Sequence, residues 1–204
     1  RTVDDKPFGG GPGMLMKTEP LVAAIRASKK RLTGDSGQAP KIVYLSPQGR
    51  PVKQQQIVAA AQSEAIVLVC GRYQGIDERV VEAEIDEEWS LGDFVISGGE
   101  FAAMAIVDAM IRRQSGALGD DESALQDSFE DNLLHAPEYT RPQSFEGREV
   151  PQVLLSGDHA AIARWRRKQA LGVTQRKRPD LLDELELSEE QKALLEEFES
   201  DQNN

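Results

Sequence analysis

The 204-residue sequence is poor in the side chains that form disulfides and zinc sites. It contains one cysteine, Cys70, and two histidines, His135 and His159. A single cysteine excludes an intrachain disulfide and a cysteine-cluster zinc site, and two histidines argue against a histidine-based catalytic zinc. We therefore predict no metal site from the sequence.

Long apolar runs and the common nucleotide-binding motifs are also missing. No stretch approaches the roughly 18 apolar residues of a membrane-spanning helix, and no signal peptide is recognisable. Neither G-x-x-x-x-G-K-[ST] nor G-x-G-x-x-G occurs. We therefore expect a cytoplasmic protein in a reducing compartment that is neither a P-loop nor a Rossmann enzyme.

The charges are unevenly distributed along the chain. Acidic residues outnumber basic ones by 35 to 24, which gives a net charge of −11. Residues 164–178 nevertheless carry seven basic and no acidic side chains, whereas residues 180–201 carry ten acidic side chains and one lysine. The basic run predicts either phosphate contacts or an exposed helix face without a partner, and the acidic run predicts a solvated helix.

Strands, glycine-containing loops and helices alternate in the first half of the chain. Three β-branched or apolar runs predict strands at residues 41–45, 65–69 and 93–96. The helical patterns begin at Pro20 and also cover residues 52–62, 77–85 and 100–113. This alternation predicts an α/β domain with a parallel sheet, whose ligands bind beyond the carboxyl ends of the strands. Residues 1–18 are predicted to be a loop.

The second half has a different character. Residues 114–133 have little apolar content and predict a linker. Prolines break up residues 135–151, and helical patterns follow over 158–170 and 188–198. We therefore predict three parts: an α/β domain over 1–113, a linker over 114–133 and a small, mostly helical domain over 134–204.

Taken together, the loops carry a specific pattern. The three strand-end loops read SPQGR at 46–50, CGRYQGIDER at 70–79 and WSLGDFVISGGE at 89–100. Two further segments belong to the same pattern, GGGPGML at 9–15 and YTRP at 139–142. Over nearly the whole chain, these segments resemble the bacterial tRNA (guanine-N1)-methyltransferases, which are SPOUT or α/β-knot enzymes.

The resemblance implies a fold, a methyl donor and an assembly. The three loops would form a deep trefoil knot that holds S-adenosylmethionine, and the active site would lie between the subunits of a homodimer. The chain begins at Arg1 without an initiator methionine, so we expect the family's opening segment and first strand to be absent. The resemblance leaves open whether a divalent ion such as Mg²⁺ takes part in turnover.

The resemblance also assigns a cofactor site to the three loops, where glycines let the backbone approach adenine. Its cofactor-binding residues would be Tyr44, Leu45, Ser46, Pro47, Gly71, Tyr73, Gly75, Leu91, Gly92, Phe94, Ile96, Gly98 and Gly99. Two positions depart from the family pattern. Gln74 stands where the family usually has Glu, and Phe101-Ala102-Ala103 stands where it has Leu-Pro-Ala.

The proposed reaction requires removal of the proton on guanine N1, with charge spreading to O6. The resemblance makes Asp127 the general base and Arg112 the partner of O6. Without the resemblance, Asp127 would be read as a solvated linker residue. The expected contacts to RNA are Asp4, Gly13, Ser123, Arg164, Arg166 and Lys168.

Three functions remain open at this point. The first is methyl transfer to N1 of guanosine 37 in tRNA. The second is an RNA-binding module that has lost its chemistry, which Gln74 and the expected absence of the opening segment favour and which Asp127 and Arg112 oppose. The third is a related knot methyltransferase that acts on ribosomal RNA, although the basic run in a helical second domain fits tRNA better.

Overall fold

The computed structural model describes residues 2–33, 37–119 and 126–202. The backbone divides into two compact units, Arg1–Asp121 and Glu122–Asn204.

The first unit combines a short hairpin with a sheet whose strands alternate with helices. Its elements are β1 (Asp4–Asp5), β2 (Leu15–Met16), α1 (Thr18–Thr33), β3 (Lys41–Pro51), α2 (Gln54–Ala61), β4 (Ile66–Cys70), α3 (Glu78–Glu84), β5 (Glu87–Ser90) and α4 (Gly99–Ile111). The main sheet has the order β4-β3-β5, and both neighbours run parallel to β3. The α/β class with a parallel sheet, predicted from the alternation, is therefore confirmed.

The third strand lies earlier in the chain than predicted. The structure places it at Glu87–Ser90, whereas the predicted segment 93–96 has no strand structure. The prediction followed apolar content, but Val95 is 85% exposed while Trp89 is 3% exposed. The strand is difficult to predict from the sequence because it begins with charged residues, among them Glu87. The carboxylate of Glu87 is paired with Lys41 at 2.6 Å on the neighbouring strand.

Strand β3 forms the centre of the core because its side chains alternate between the two faces of the sheet. Ile42 and Tyr44 pack with α1 and α3 on one face, and Val43 and Leu45 pack with α2 and α4 on the other. Helices cover both faces of the sheet, which explains why residues 42–45 of β3 form an unbroken apolar run.

The N-terminal residues are more ordered than the predicted loop. Strand β1 pairs antiparallel with β2, and the glycines between them adopt positive φ angles. The hairpin is tied to the loop after β4. The N–H of Met16 donates to the carbonyl of Gly75 at 3.2 Å, and the N–H of Gln74 donates to the carbonyl of Met14 at 3.0 Å.

The second unit is built mainly from helices. Its elements are β6 (Ser144–Phe145), β7 (Arg148–Glu149), a 3-10 turn (Gln152–Leu155), α5 (His159–Lys177), α6 (Pro179–Asp183) and α7 (Glu189–Gln202). Helix α5 continues beyond its predicted end at residue 170 because Leu171 and Thr174 are completely buried. Gly172 does not end the helix, because the ring of Phe198 on α7 occupies the space beside it.

Candidate active site

A cavity of about 450 Å³ opens beyond the carboxyl ends of β3, β4 and β5. The three loops that follow these strands form its walls, as the parallel sheet predicts. All thirteen residues predicted to bind the cofactor line it: Tyr44, Leu45, Ser46, Pro47, Gly71, Tyr73, Gly75, Leu91, Gly92, Phe94, Ile96, Gly98 and Gly99. Residues far apart in the sequence therefore meet at one site.

The first wall is the end of β3, where buried polar groups replace the apolar run. Ser46 is buried, and its Oγ accepts a hydrogen bond from the N–H of Gln48 at 3.1 Å. The Tyr44 hydroxyl is close to Gly71, since a Cβ at position 71 would lie 2.9 Å from it. Burial, together with the charge of Glu88, raises the pKa of the Tyr44 phenol. The phenol is thus a neutral polar group at neutral pH.

The second wall is a tight turn at residues 71–75. The N–H of Gly75 donates to the carbonyl of Arg72 at 3.1 Å. Tyr73 adopts a φ of 61°, a left-handed conformation that is uncommon for an aromatic residue. This conformation leaves the Tyr73 side chain more than half exposed at the rim of the cavity. Backbone outliers of this kind concentrate at binding sites, where the surrounding structure holds them in place.

The third wall follows β5 and combines a polar turn with an apolar segment. The Ser90 hydroxyl donates to the Gly92 carbonyl and accepts from the Gly92 N–H, both at 3.1 Å. Gly92 has a φ of 145°, which favours glycine. Beyond it, Phe94 and Ile96 expose apolar surface at the cavity. The third wall thus places apolar surface beside a polar turn.

Sequence reasoning missed several lining residues that flank the predicted ones. Trp89 and Ser90 end β5, the strand that the sequence prediction placed too late in the chain. Gln48, Arg72 and Glu78 supply polar groups to the lining. Their position within or beside the three glycine-containing loops was the only signal available.

Two predicted RNA contacts lie in the N-terminal hairpin. Gly13 packs against the Gln74 side chain, since a Cβ at position 13 would lie 2.5 Å from the Gln74 amide. Gln74 in turn lines the cavity. Asp4 belongs to β1 and pairs with Met16. Ser123, a third predicted contact, lies outside the described residues.

The predicted catalytic residues fall in different units. Arg112 caps the carboxyl end of α4 in the first unit, and its N–H donates to the Asp108 carbonyl at 3.1 Å. Asp127 is exposed near the start of the second unit, where its carbonyl accepts from the N–H of Glu130 at 3.4 Å. Their assignment therefore still rests on the resemblance.

The predicted basic run is divided between two environments. Lys168 is buried, and its Nζ lies 2.9 Å from Glu197 and 2.6 Å from Asp201 on α7. Arg164 also pairs with Glu197, at 2.6 Å. Arg166, by contrast, is exposed and forms no ion pair with any residue that the structure describes. The acidic helix is therefore not simply solvated, because it neutralises part of the basic run.

These ion pairs shift the pKa values of Glu197 and Lys168 further from neutrality. Hydrogen bonds from Arg164 and Lys168 lower the pKa of Glu197 to about 2. Burial disfavours the charged form of Lys168, but the hydrogen bonds to Asp201 and Glu197 outweigh it and raise the pKa of that ammonium. Glu197 and Lys168 are therefore both charged at neutral pH.

Residues 2–33, 37–119 and 126–202 contain no group of three or more His, Cys, Asp or Glu side chains arranged to hold a metal ion. None of the described helices is both long enough and apolar enough to cross a membrane.

The sheet with its carboxyl-edge cavity defines a class of ligand-binding α/β proteins, and comparisons with known proteins identify the family. The family model described as tRNA (guanine-1)-methyltransferase TrmD matches residues 1–184. The chain belongs to this family. It is 55% identical to the tRNA (guanine-N(1)-)-methyltransferase of Salmonella typhi over 98% of this chain and 77% of that protein. Relatives of the same name from Cronobacter sakazakii and Pseudoalteromonas atlantica are 56% and 54% identical over 98% of this chain, covering 77% and 74% of their own lengths.

Proposed function

We propose that the protein transfers a methyl group from S-adenosylmethionine to N1 of guanosine 37 in tRNA, next to the anticodon. The observation that carries the proposal is the single cavity that brings together all thirteen predicted cofactor-binding residues. The names of the relatives support methyl transfer to guanine N1 in tRNA. A tRNA substrate and a single cysteine together support a cytoplasmic location.

The cavity fits an adenosyl group on physical grounds. Phe94 and Ile96 offer apolar surface to a purine, and the glycines of the second and third loops let the backbone itself line the cavity. When bound, S-adenosylmethionine supplies an electrophilic methyl group on a positively charged sulfur. We propose that the loops form the trefoil knot of the family.

The nucleophile must be generated by residues of this chain. Guanine N1 carries a proton, and Asp127 is our proposed general base for it. Arg112 would stabilise the negative charge that develops on O6. The target base must leave its stack to meet these groups, so the predicted linker at 114–133 would close around an extruded nucleotide.

The tRNA would contact both parts of the chain. We assign the cofactor to the domain at 1–113 and the main RNA surface to the helical domain at 134–204. Among the predicted contacts, Arg166 has the exposed guanidinium that a phosphate requires. Arg164 and Lys168 form ion pairs with Glu197, so we propose that they stabilise the packing of α5 against α7. Asp4, Gly13 and Ser123 are kept as contacts on the strength of the resemblance.

A second copy of the chain is the proposed partner of helix α4. The buried side of this helix faces the sheet, yet the opposite side exposes Phe101, Met104 and Ile111, with Met104 68% exposed. A helix that is apolar on all sides is normally buried. The exposed segment 94–96 at the cavity also carries apolar surface, so a partner on it would complete the site. A homodimer with its active site between subunits accounts for this surface.

The direct test is transfer of labelled methyl to tRNA transcripts. A transcript with guanosine at positions 36 and 37 is expected to accept one methyl group, and a matched transcript with adenosine at position 37 is expected to accept none. Primer extension would map the product to N1. Binding of tRNA without transfer would instead support an RNA-binding module, and repeating the assay with EDTA or added Mg²⁺ determines whether a divalent ion is required.

A further inference from the structure

The cavity has few formal charges, and their balance bears on the charge of its ligand. Among the lining residues, Arg72 is cationic and Glu78 is anionic. Gln74, on the same loop as Arg72, is a neutral amide. An uncompensated guanidinium in this wall would repel a ligand that carries positive charge.

Arg72 is compensated by a residue from the neighbouring loop. Glu100 lies in the first turn of α4, and its Oε1 accepts a hydrogen bond from Arg72 Nε at 2.7 Å. The N–H of Gly99 donates to the Gly71 carbonyl at 3.0 Å, which keeps the two loops together. The pair therefore joins the second wall of the cavity to the third.

The ion pair lies directly against the cavity. A Cβ at Gly98, a lining residue, would come within 2.8 Å of Arg72 Cδ and would also meet Glu100 Oε2. Gly98 thus leaves space for the pair to pack against the backbone of the third loop. The carboxylate of Glu100 thus lies beside Gly98, a residue of the cavity lining.

Arg72 engages only one of the two carboxylate oxygens of Glu100. Its Oε2 is buried and has no hydrogen-bond partner among the described residues. A hydrogen bond from its own backbone N–H, together with the one from Arg72, lowers the pKa of this carboxyl. The group is therefore anionic at neutral pH.

We infer that Glu100 is a specificity-determining residue of this cavity: by neutralising Arg72, it removes a repulsion that would make the cavity disfavour a cationic ligand relative to a neutral one of the same shape. The inference rests on the proposed function. S-adenosylmethionine bears a sulfonium, whereas the product of transfer, S-adenosylhomocysteine, is a neutral thioether. The two ligands differ by one methyl group and one positive charge. Glu100 thus promotes exchange of spent product for fresh methyl donor.

Isothermal titration calorimetry with both ligands at low ionic strength tests the inference without any assay of activity. Glu100→Gln leaves Arg72 uncompensated, so the affinity for S-adenosylmethionine should fall about tenfold relative to that for S-adenosylhomocysteine. Asp93→Asn is the matched control. It removes an exposed carboxylate from the same segment, and the affinity ratio should not move.

The reciprocal variant keeps the inference testable if Glu100→Gln does not fold. Arg72→Gln leaves the carboxylate uncompensated and should shift the ratio in the opposite direction, towards S-adenosylmethionine. The double variant Arg72→Gln/Glu100→Gln should return close to the original ratio. Added salt should reduce both single-variant effects because the pair is half exposed.

The outcomes separate the inference from the proposed function. A wild-type protein that binds neither ligand would contradict the proposed function and remove the basis of the inference. A wild-type protein that binds both, with a ratio unchanged in Glu100→Gln and in Arg72→Gln, would overturn the inference alone. Equal weakening of both ligands in each variant would also overturn it, because that result indicates a role in shape rather than in charge.

Discussion

The backbone N–H of Gly99 donates a hydrogen bond to the carbonyl of Gly71 at 3.0 Å. This bond brings the first turn of α4 against the end of β4, where a Cβ at position 99 would lie 2.8 Å from the Cα of Cys70. Two walls of the cavity are therefore held together by a backbone hydrogen bond, in addition to the ion pair between Arg72 and Glu100. A site built in this way is present before any ligand binds, which reduces the entropy cost of binding.

Gly71→Val should weaken binding of S-adenosylmethionine by about tenfold or more. The new side chain would meet the Tyr44 hydroxyl, and overpacking of this kind typically costs about 1–3 kcal/mol. Calorimetric titration measures the effect, with circular dichroism as the check on folding. Gly119→Val is the control, because a Cβ at that position meets no atom within 4 Å. A folded Gly71→Val variant with unchanged affinity would contradict the cavity as the cofactor site.

The sequence patterns predicted the sheet and the cavity more accurately than the individual strands. Residues 42–45 and 66–69 are apolar on both faces of the sheet, so their place in the interior is visible in the sequence. Strand β5 begins with two glutamates, and its partners Lys41 and Tyr44 come from β3, some 44 residues earlier. Local sequence patterns contain no information on such long-range pairing. They favour the apolar segment 93–96 as the third strand instead.

The basic run shows the same limitation for the candidate site. The sequence shows how many charges the run contains but not which of them are paired. The contact of Lys168 with Glu197 depends on how α5 and α7 pack. Asp127 and Arg112 illustrate a further limit. Nothing in their local patterns indicates chemistry, and only the resemblance singled them out.

Asp127→Asn should reduce single-turnover methyl transfer by about 100-fold or more, the usual scale for loss of a general base. Binding of S-adenosylmethionine should be unchanged, because the proposal places Asp127 on the RNA side. Rapid-quench assays with saturating enzyme measure the step. Near-normal transfer would direct the search for the base to Asp4, Asp5 or Glu100.

Arg112→Ala should also lose transfer, but with a different dependence on pH. The Asp127→Asn variant should recover partly at high pH, where N1 loses its proton unaided. The Arg112 variant should not recover, because the charge on O6 still lacks its partner. Single-turnover rates across pH distinguish the two roles, and parallel profiles would argue against separate functions.

Arg166→Ala should weaken tRNA binding and flatten the dependence of log K on log salt by about one unit for each lost phosphate contact. Filter binding at several salt concentrations measures both quantities. Arg164→Ala is the matched comparison on the same helix. It should lower stability more than it changes the salt slope, because Arg164 pairs with Glu197 at 2.6 Å. If log K depends on log salt with the same slope in the wild type and in Arg166→Ala, Arg166 is a solvated side chain that contacts no phosphate.

Glu197→Gln should lower the free energy of unfolding of the second unit at neutral pH by about 1 kcal/mol, a modest value because the carboxylate is more than a third exposed. The folded-state pKa of about 2 lies below the ordinary value of 4.5. The stabilisation is therefore complete above pH 4.5 and is lost as the pH falls towards 2.

Denaturant unfolding at neutral pH and near pH 2 should accordingly show a difference between wild type and Glu197→Gln only at the higher pH. Glu196→Gln, an exposed neighbour on α7, is the control and should have little effect at either pH. A difference that persists unchanged near pH 2 would mean that lost packing, not lost charge, destabilises the variant.

Met104→Glu should shift the protein from dimer to monomer in analytical ultracentrifugation. The substitution places a charge in the middle of the exposed apolar face of α4, where a partner would have to bury it. Lys53→Glu, on an exposed site preceding α2, is the control. A wild-type protein that sediments as a monomer at all concentrations would contradict the dimer.

The sequence contains two tryptophans, and they fall in different units: Trp89 in the first and Trp165 in the second. Trp89 lines the cavity and donates its indole N–H to Glu87 at 2.7 Å, whereas Trp165 lies 6.3 Å from the ring of Tyr139. Each unit therefore carries its own intrinsic fluorophore. Replacing Trp165 with Phe would leave emission that reports on occupancy of the cavity, and replacing Trp89 would leave emission that follows the helical unit. The cooperativity of unfolding between the two units could then be measured without any added label.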